Sequence, residues 1–157
     1  MTAQRSVKKP KVLAVCSSGG HWEQMMMIRD AFKGADPVFV TTLPGLAEKS
    51  GVEKAYVVPD CNRDNIGANL RCMKDLLNII RTERPSVIIS TGAAPGLLAI
   101  VIGRFLFGAR GIWVDSIANS ERLSMSGKMA GYVANLWITQ WSQLAGAKGP
   151  KYYGSVL

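Results

Sequence analysis

Histidine is nearly absent from this chain: His21 is alone among 157 residues. A serine-based triad would therefore have a single possible centre, and no G-x-S-x-G elbow accompanies it. Cysteine is scarce too, with Cys16, Cys61 and Cys72 as the full set and no C-x-x-C pair. This excludes a disulfide framework and a ribbon-type zinc site, and an odd number of thiols in structured stretches suits a reducing, cytoplasmic compartment. No metal or cofactor is expected. No stretch reaches the roughly 20 apolar residues that span a bilayer. The start, 1–10, is basic and lacks the apolar region of a secretory signal, so it reads as a flexible arm before one domain over 11–157. Also missing are G-x-G-x-x-G and a Walker lysine. Without a recognition helix, zinc finger or aromatic RNP strand, nucleic acid is not the expected partner.

Acids are few as well: 11 Asp and Glu against 19 Lys and Arg leave a net charge of +8. An anionic partner follows, and a phospholipid surface or a phosphorylated substrate fits better than nucleic acid. The cations gather at Arg5, Lys8, Lys9 and Lys11 and again at Arg63, Arg71, Lys74, Arg81 and Arg84. Each such residue near an anionic leaflet contributes about 1 kcal/mol. A merely solvated basic face has the same composition.

What is present is organised around residues 11–25. Val12, Leu13, Ala14 and Val15 form the continuous apolar run of a parallel strand covered on both faces. Gly19 and Gly20 follow, where the chain turns sharply, and 22–33 reads as a helix. A loop at a helix N-terminus presents free N–H groups and the positive end of the helix dipole, which favours an anion. His21 stands at its mouth, with an ordinary pKa near 6.5 that suits proton transfer at neutral pH. A plain tight turn with a capping histidine would show the same residues.

Further strands are expected at 37–41, 54–58, 86–90, 111–115 and 136–139. Between 64 and 84, Leu70, Met73, Leu76, Leu77 and Ile80 recur at helical spacing, and Pro85 closes the helix. Thr91, Gly92, Ala93 and Ala94 open a second small-residue loop between a strand and a helix. In an open parallel sheet both loops emerge at carboxyl ends of strands, where ligands bind. The helix at 96–108 is apolar nearly all round apart from Arg104, the pattern of a core helix or of one touching a membrane. A half-covered helix would let Arg104 extend to lipid headgroups. Asp115 ends the fifth strand beside the same crevice, as a catalytic acid or as a cap of the next turn. A polar loop spans 116–127, a short helix 128–133, and 141–157 is an aromatic, glycine-containing tail. The alternation gives an α/β fold, a single Rossmann-like doubly wound parallel sheet.

These residues carry a resemblance. Ser18-Gly19-Gly20-His21, Asp115-Ser116-Ile117-Ala118 with 123–128, and Gln140-Trp141-Ser142-Gln143-Leu144 followed by 152–157 resemble the PssD-like polysaccharide biosynthesis proteins. Those proteins are related to the membrane-anchoring acceptor subunit of the split dolichol-diphosphate GlcNAc transferase, and they look like the N-terminal half of MurG-type GT-B glycosyltransferases.

The resemblance implies an acceptor-binding domain whose two glycine-rich loops, Ser18, Gly19 and Gly20 with Thr91, Gly92, Ala93 and Ala94, hold an acceptor diphosphate. His21 or Asp115 would be the base. The MurG loops carry glycines where this chain has Ser17, Ser18 and Ala93. The resemblance further implies an undecaprenyl-diphosphate-linked acceptor, a separate donor-binding PssE-like subunit met by Trp141, Tyr152, Tyr153 and Leu157, and a peripheral position on the inner face of the plasma membrane. A stand-alone nucleotide-binding module with no catalytic role is the alternative.

Overall fold

Alternate residues of a strand point to opposite faces, and in this chain that period builds two cores. The computed structural model describes residues 8–61 and 64–156. The expectations placed on Arg5, Arg63 and Leu157, and most of the basic arm, lie outside them. In β1 (Lys11–Cys16), Leu13 and Val15 enter one apolar cluster while Val12, Ala14 and Cys16 enter the other. β2 (Asp36–Thr41) divides Val38 and Val40 from Phe39 in the same way.

The remaining strands are β3 (Ala55–Val57), β4 (Val87–Gly92), β5 (Arg110–Val114), β6 (Leu136–Thr139) and β7 (Lys151–Tyr152). All pair in parallel, in the order β3-β2-β1-β4-β5-β6-β7. The doubly wound sheet is therefore the fold. β7 was not legible in the tail, because a two-residue edge strand carries no periodicity.

The helices differ from expectation in instructive ways. α1 (Gly20–Ile28) starts two residues early, on the glycine, and gives way to a 3₁₀ turn over Arg29–Phe32 instead of running on to residue 33. α2 (Leu46–Lys49) is a short helix in a stretch for which the sequence carried no expectation. α3 (Ile66–Glu83) is capped by Asn65, whose Oδ1 accepts the Ala68 N–H at 2.9 Å. α4 (Ala94–Phe107) ends on Gly108, and α5 (Met125–Val133) begins three residues before the expected start because Ser124 caps it.

The first core cluster draws on α3, α4 and α5, and the second on α1, the 3₁₀ turn and α2, so the two helical layers lie on opposite faces of the sheet. α4 packs between α3 and α5, which explains its nearly uniform apolarity. Its last turn is bare, with Phe105 and Leu106 exposed. With the helix packed, the condition for Arg104 to extend outward is not met: its guanidinium donates to the Val133 carbonyl and lies over the Phe105 ring.

α3 carries the larger surprise. Cys72, Leu76, Ile79 and Ile80 face the core, whereas Ile66, Leu70, Met73 and Leu77 form a second, exposed stripe. Periodicity alone mixed the two, because a helix with apolar residues on two faces has no single apolar stripe.

At the amino edge of the sheet, far from the site below, Glu83 is buried among Lys11 Nζ at 2.8 Å, Lys54 Nζ at 2.7 Å and the Tyr56 hydroxyl at 2.6 Å. Burial pushes its carboxyl up, but these three donors outweigh burial and bring it down to about 2. The stabilisation is fully present above the ordinary carboxylate range and fades as pH falls towards 2. The cluster ties β1, β3 and α3 together.

Candidate active site

The strand order puts β1 and β4 side by side while their following helices lie on opposite faces of the sheet. That makes their carboxyl ends a topological switch point, the crevice where open α/β sheets bind ligands. Both expected loops meet there. After β1, Ser17 and Ser18 lead to Gly19, which enters α1 at φ +73°, a backbone angle that favours glycine. The Ser18 N–H is anchored on Thr42 Oγ1 at 3.1 Å. After β4, Gly92 at φ +146° and Ala93 at φ +72° lead into α4. Ala93 thus holds a glycine-like conformation with ψ 166°, a strain of the kind that clusters at functional sites.

The loops are joined through His21. Thr91 Oγ1 donates to the His21 carbonyl at 2.6 Å, fastening the first turn of α1 to β4. The imidazole lies against Gly92 so closely that a Cβ there would come within 2.2 Å of Cδ2 and 2.4 Å of Nε2. Its Nδ1 is 2.8 Å from Ser17 Oγ. Burial lowers the pKa of His21 below 6.5, opposed by the charges of Asp115 and Asp60. The N-terminal position in α1 acts in the same direction as burial, since the helix dipole disfavours an imidazolium. A neutral imidazole at pH 7 results.

The Glu23 N–H is the first of α1 to reach back, to the Gly19 carbonyl at 3.1 Å, so the N–H groups of Gly20, His21 and Trp22 precede the intrahelical ladder. In α4 the corresponding bond runs from the Leu97 N–H to the Ala93 carbonyl. Two helix starts thus lie at neighbouring strand ends, joined through His21, and a helix start favours an anion; of the two loops only the first lines the cleft, since none of Thr91, Gly92, Ala93 and Ala94 reaches it. A cleft of about 640 Å³ opens beside them, lined by residues that include Ser17, Ser18, His21, Gln24, Ser116 and Val156.

Asp115 lies beside this cleft but is employed elsewhere. Its Oδ1 accepts from Trp113 Nε1 at 3.0 Å and from the Ser124 hydroxyl at 2.7 Å. Its Oδ2 accepts from the Asn119 amide and the Ser124 N–H, each at 3.1 Å. A carboxylate has about four acceptor positions, and four donors occupy them. Asp115 is 1% exposed and organises the 116–124 loop and the start of α5.

A set of residues outside the expected site floors the cleft. Gln24 Nε2 donates to Ser116 Oγ at 3.0 Å, and Gln24 Oε1 accepts the Ile117 N–H and Gln140 Nε2. Gln140 also donates to the Asp115 carbonyl, and its Oε1 accepts the Val156 N–H at 3.1 Å. The signal that would have pointed to Gln24 is a polar residue between Trp22 and Met25 on the inward face of α1. Of the expected partner contacts, Trp141 is half-buried, with Nε1 donating to the Ile117 carbonyl at 2.7 Å. Tyr152 and Tyr153 are exposed on and just after the edge strand β7.

The fold compares directly with solved structures. MurG from Acinetobacter baumannii superposes with a TM-score of 0.73 at 12% identity, covering 91% of this chain and 45% of that one. UDP-N-acetylglucosamine 2-epimerase from Rickettsia bellii gives 0.70 at 11%, covering 94% and 45%. The UDP co-structure of S. aureus MnaA gives 0.69 at 11%, with the same shares. The chain thus spans a little under half of the structures it matches, and among curated proteins none matches it. The class is a GT-B-type Rossmann-like domain, equivalent to the N-terminal domain of such enzymes. Within it, the chain belongs to the family of Alg14-like oligosaccharide biosynthesis proteins, whose model matches residues 48–156.

Proposed function

We propose that this protein is the acceptor-binding, membrane-recruiting subunit of a two-chain inverting glycosyltransferase, of PssD-like type. The observation that carries this is His21, which lines the cleft at the start of α1 and is fastened to the loop that leads into α4. The N–H groups at the starts of α1 and α4, with Ser18, Gly19, Gly20 and the 91–94 loop, bind the diphosphate of an undecaprenyl-linked acceptor. His21, neutral at pH 7, takes the proton from the attacking acceptor hydroxyl as that oxygen bonds to the sugar's anomeric carbon and the nucleoside diphosphate departs. Asp115, with its oxygens occupied, shapes the loop and biases His21 through its charge. The nucleotide sugar belongs to a separate, PssE-like subunit. Tyr152 and Tyr153 offer that subunit aromatic surface on an open sheet edge, and Val156 brings the same tail to the rim of the cleft.

Purified alone, the chain should transfer no sugar from a nucleotide sugar to a lipid-diphosphate acceptor, and activity should appear when the donor-binding subunit is added. Deleting residues from Tyr152 onward should abolish that rescue, with a melting curve run beside it to detect loss of fold. Robust transfer by the single chain, free of any partner, would overturn the two-chain reading. Tight one-to-one binding of a nucleotide with no partner would favour the stand-alone module.

Among the described residues, no helix is long and apolar enough to cross a membrane. The exposed stripe Ile66, Leu70, Met73 and Leu77, with Arg71 and Lys74 on the same helix, favours a surface attachment through α3 rather than through the buried α4. Sedimentation with anionic vesicles should fall as salt is raised to about 1 M, where the screening length is about 3 Å. Replacing Leu70 and Met73 with aspartate should weaken sedimentation at every salt concentration. Indifference to lipid charge, salt and these substitutions would remove the membrane from the proposal.

A further inference from the structure

Ser17 has no role in the diphosphate-binding reading, yet its side chain contacts the His21 ring directly. The two imidazole nitrogens do different work, and the hydrogen bond made by one decides what the other can do. Nδ1 faces Ser17 Oγ at 2.8 Å. The Ser17 hydroxyl proton has another acceptor in the Ser18 carbonyl, at 3.4 Å. With its own proton turned there, Oγ is free to accept from Nδ1–H. Nε2 is on the far side of the ring, against Gly92, where a Cβ would come within 2.4 Å of it.

We infer that Ser17 is a positioning residue that accepts a hydrogen bond from Nδ1–H of His21, so that Nε2 carries the lone pair and takes the acceptor's proton. The inference rests on His21 being the base. In the resting state the proton sits on Nδ1. During transfer Nε2 gains the hydroxyl proton, and the imidazolium so formed keeps Nδ1–H on Ser17 Oγ, with no further group changing its charge. The opposite arrangement, Ser17 donating to Nδ1, would leave Nε2 protonated, able to donate to a diphosphate oxygen but unable to accept a proton. Serine is thus more than filler in a loop where the MurG pattern has glycine.

Because the chain has one histidine, its ring nitrogens are read without ambiguity. In the ¹⁵N-histidine-labelled full chain at pH 8, two-bond ¹H–¹⁵N correlation should show Nδ1 protonated and Nε2 bare. Ser17→Ala should move the population towards Nε2–H, and Ser17→Thr should keep the wild-type pattern. Ser17→Gly, the substitution closest to the MurG loop, serves if the alanine variant fails to fold. An Nε2–H tautomer in the wild type, or an unchanged tautomer in a folded Ser17→Ala or Ser17→Gly protein, overturns the inference. In the assembled enzyme, Ser17→Ala should lower kcat by about tenfold to a hundredfold with little change in KM, by analogy with the partners that orient metal-ligating histidines. If His21→Ala leaves transfer intact while Ser17→Ala still changes the tautomer, the base reading fails and the hydrogen bond stands. If His21→Ala abolishes transfer while the tautomer ignores Ser17, the base reading stands and the inference fails.

Discussion

His21→Ala should lower turnover of the assembled transferase by roughly 10²- to 10⁴-fold, the range associated with loss of a general base. The fold should survive, because the imidazole is only half-buried and the bond that fastens the loops uses the His21 carbonyl, which alanine retains. The pH dependence supplies a second signature. Burial, partly offset by Asp115 and Asp60, holds the imidazole below its ordinary pKa, so wild-type activity should hold through neutrality and fall only below pH 6.5. The residual activity of the variant should lack that acid limb. Stability should move in the same window: a group whose folded pKa is lowered contributes stability above its unfolded pKa and loses it as pH falls. Wild type should therefore lose stability below pH 6.5 more steeply than His21→Ala. Full activity in a correctly folded His21→Ala complex would rule out the base.

The second large effect falls on stability. Asp115→Ala withdraws the acceptor from Trp113 Nε1, the Ser124 N–H, the Ser124 hydroxyl and the Asn119 amide, in a site that is almost wholly buried. Buried donors left without partners cost about 1–3 kcal/mol each where water does not reach them. A net loss of about 3 kcal/mol is expected after partial relaxation. For a chain of this size that lowers Tm by about 6–12 °C. Turnover should fall as well, since Ser116, Ile117 and Ala118 wall the cleft and the Asp115 charge supports protonation of His21. Calorimetry and transfer assays on the same preparation separate the two roles. An Asp115→Ala protein that melts like wild type and is nevertheless inactive would return the base to Asp115.

Several features were legible because they are local. The apolar run of β1, Pro85 after α3 and the strand-to-loop transitions at Gly19 and Gly92 are properties of a few neighbouring residues, and each appears close to where it was expected. The sites of departure share a different cause. The two apolar stripes of α3 are indistinguishable until one of them meets a sheet. Gln140 reads as an ordinary polar residue after a strand until Gln24, 116 positions earlier, is found against it. β7 is a strand only because β6 offers it an edge.

By itself the sequence determined the parallel α/β class, the two small-residue loops and the presence of a single imidazole at the first of them, because strand runs, glycine turns and residue identity are written in consecutive positions. Only the tertiary structure decided that the two loops meet across β1 and β4, that Ser17 faces Nδ1, that Asp115 is taken up by four donors and that the tail returns to the cleft at Val156. Those contacts join residues far apart in the chain, and they are set by strand order and packing, which no local pattern of residues specifies.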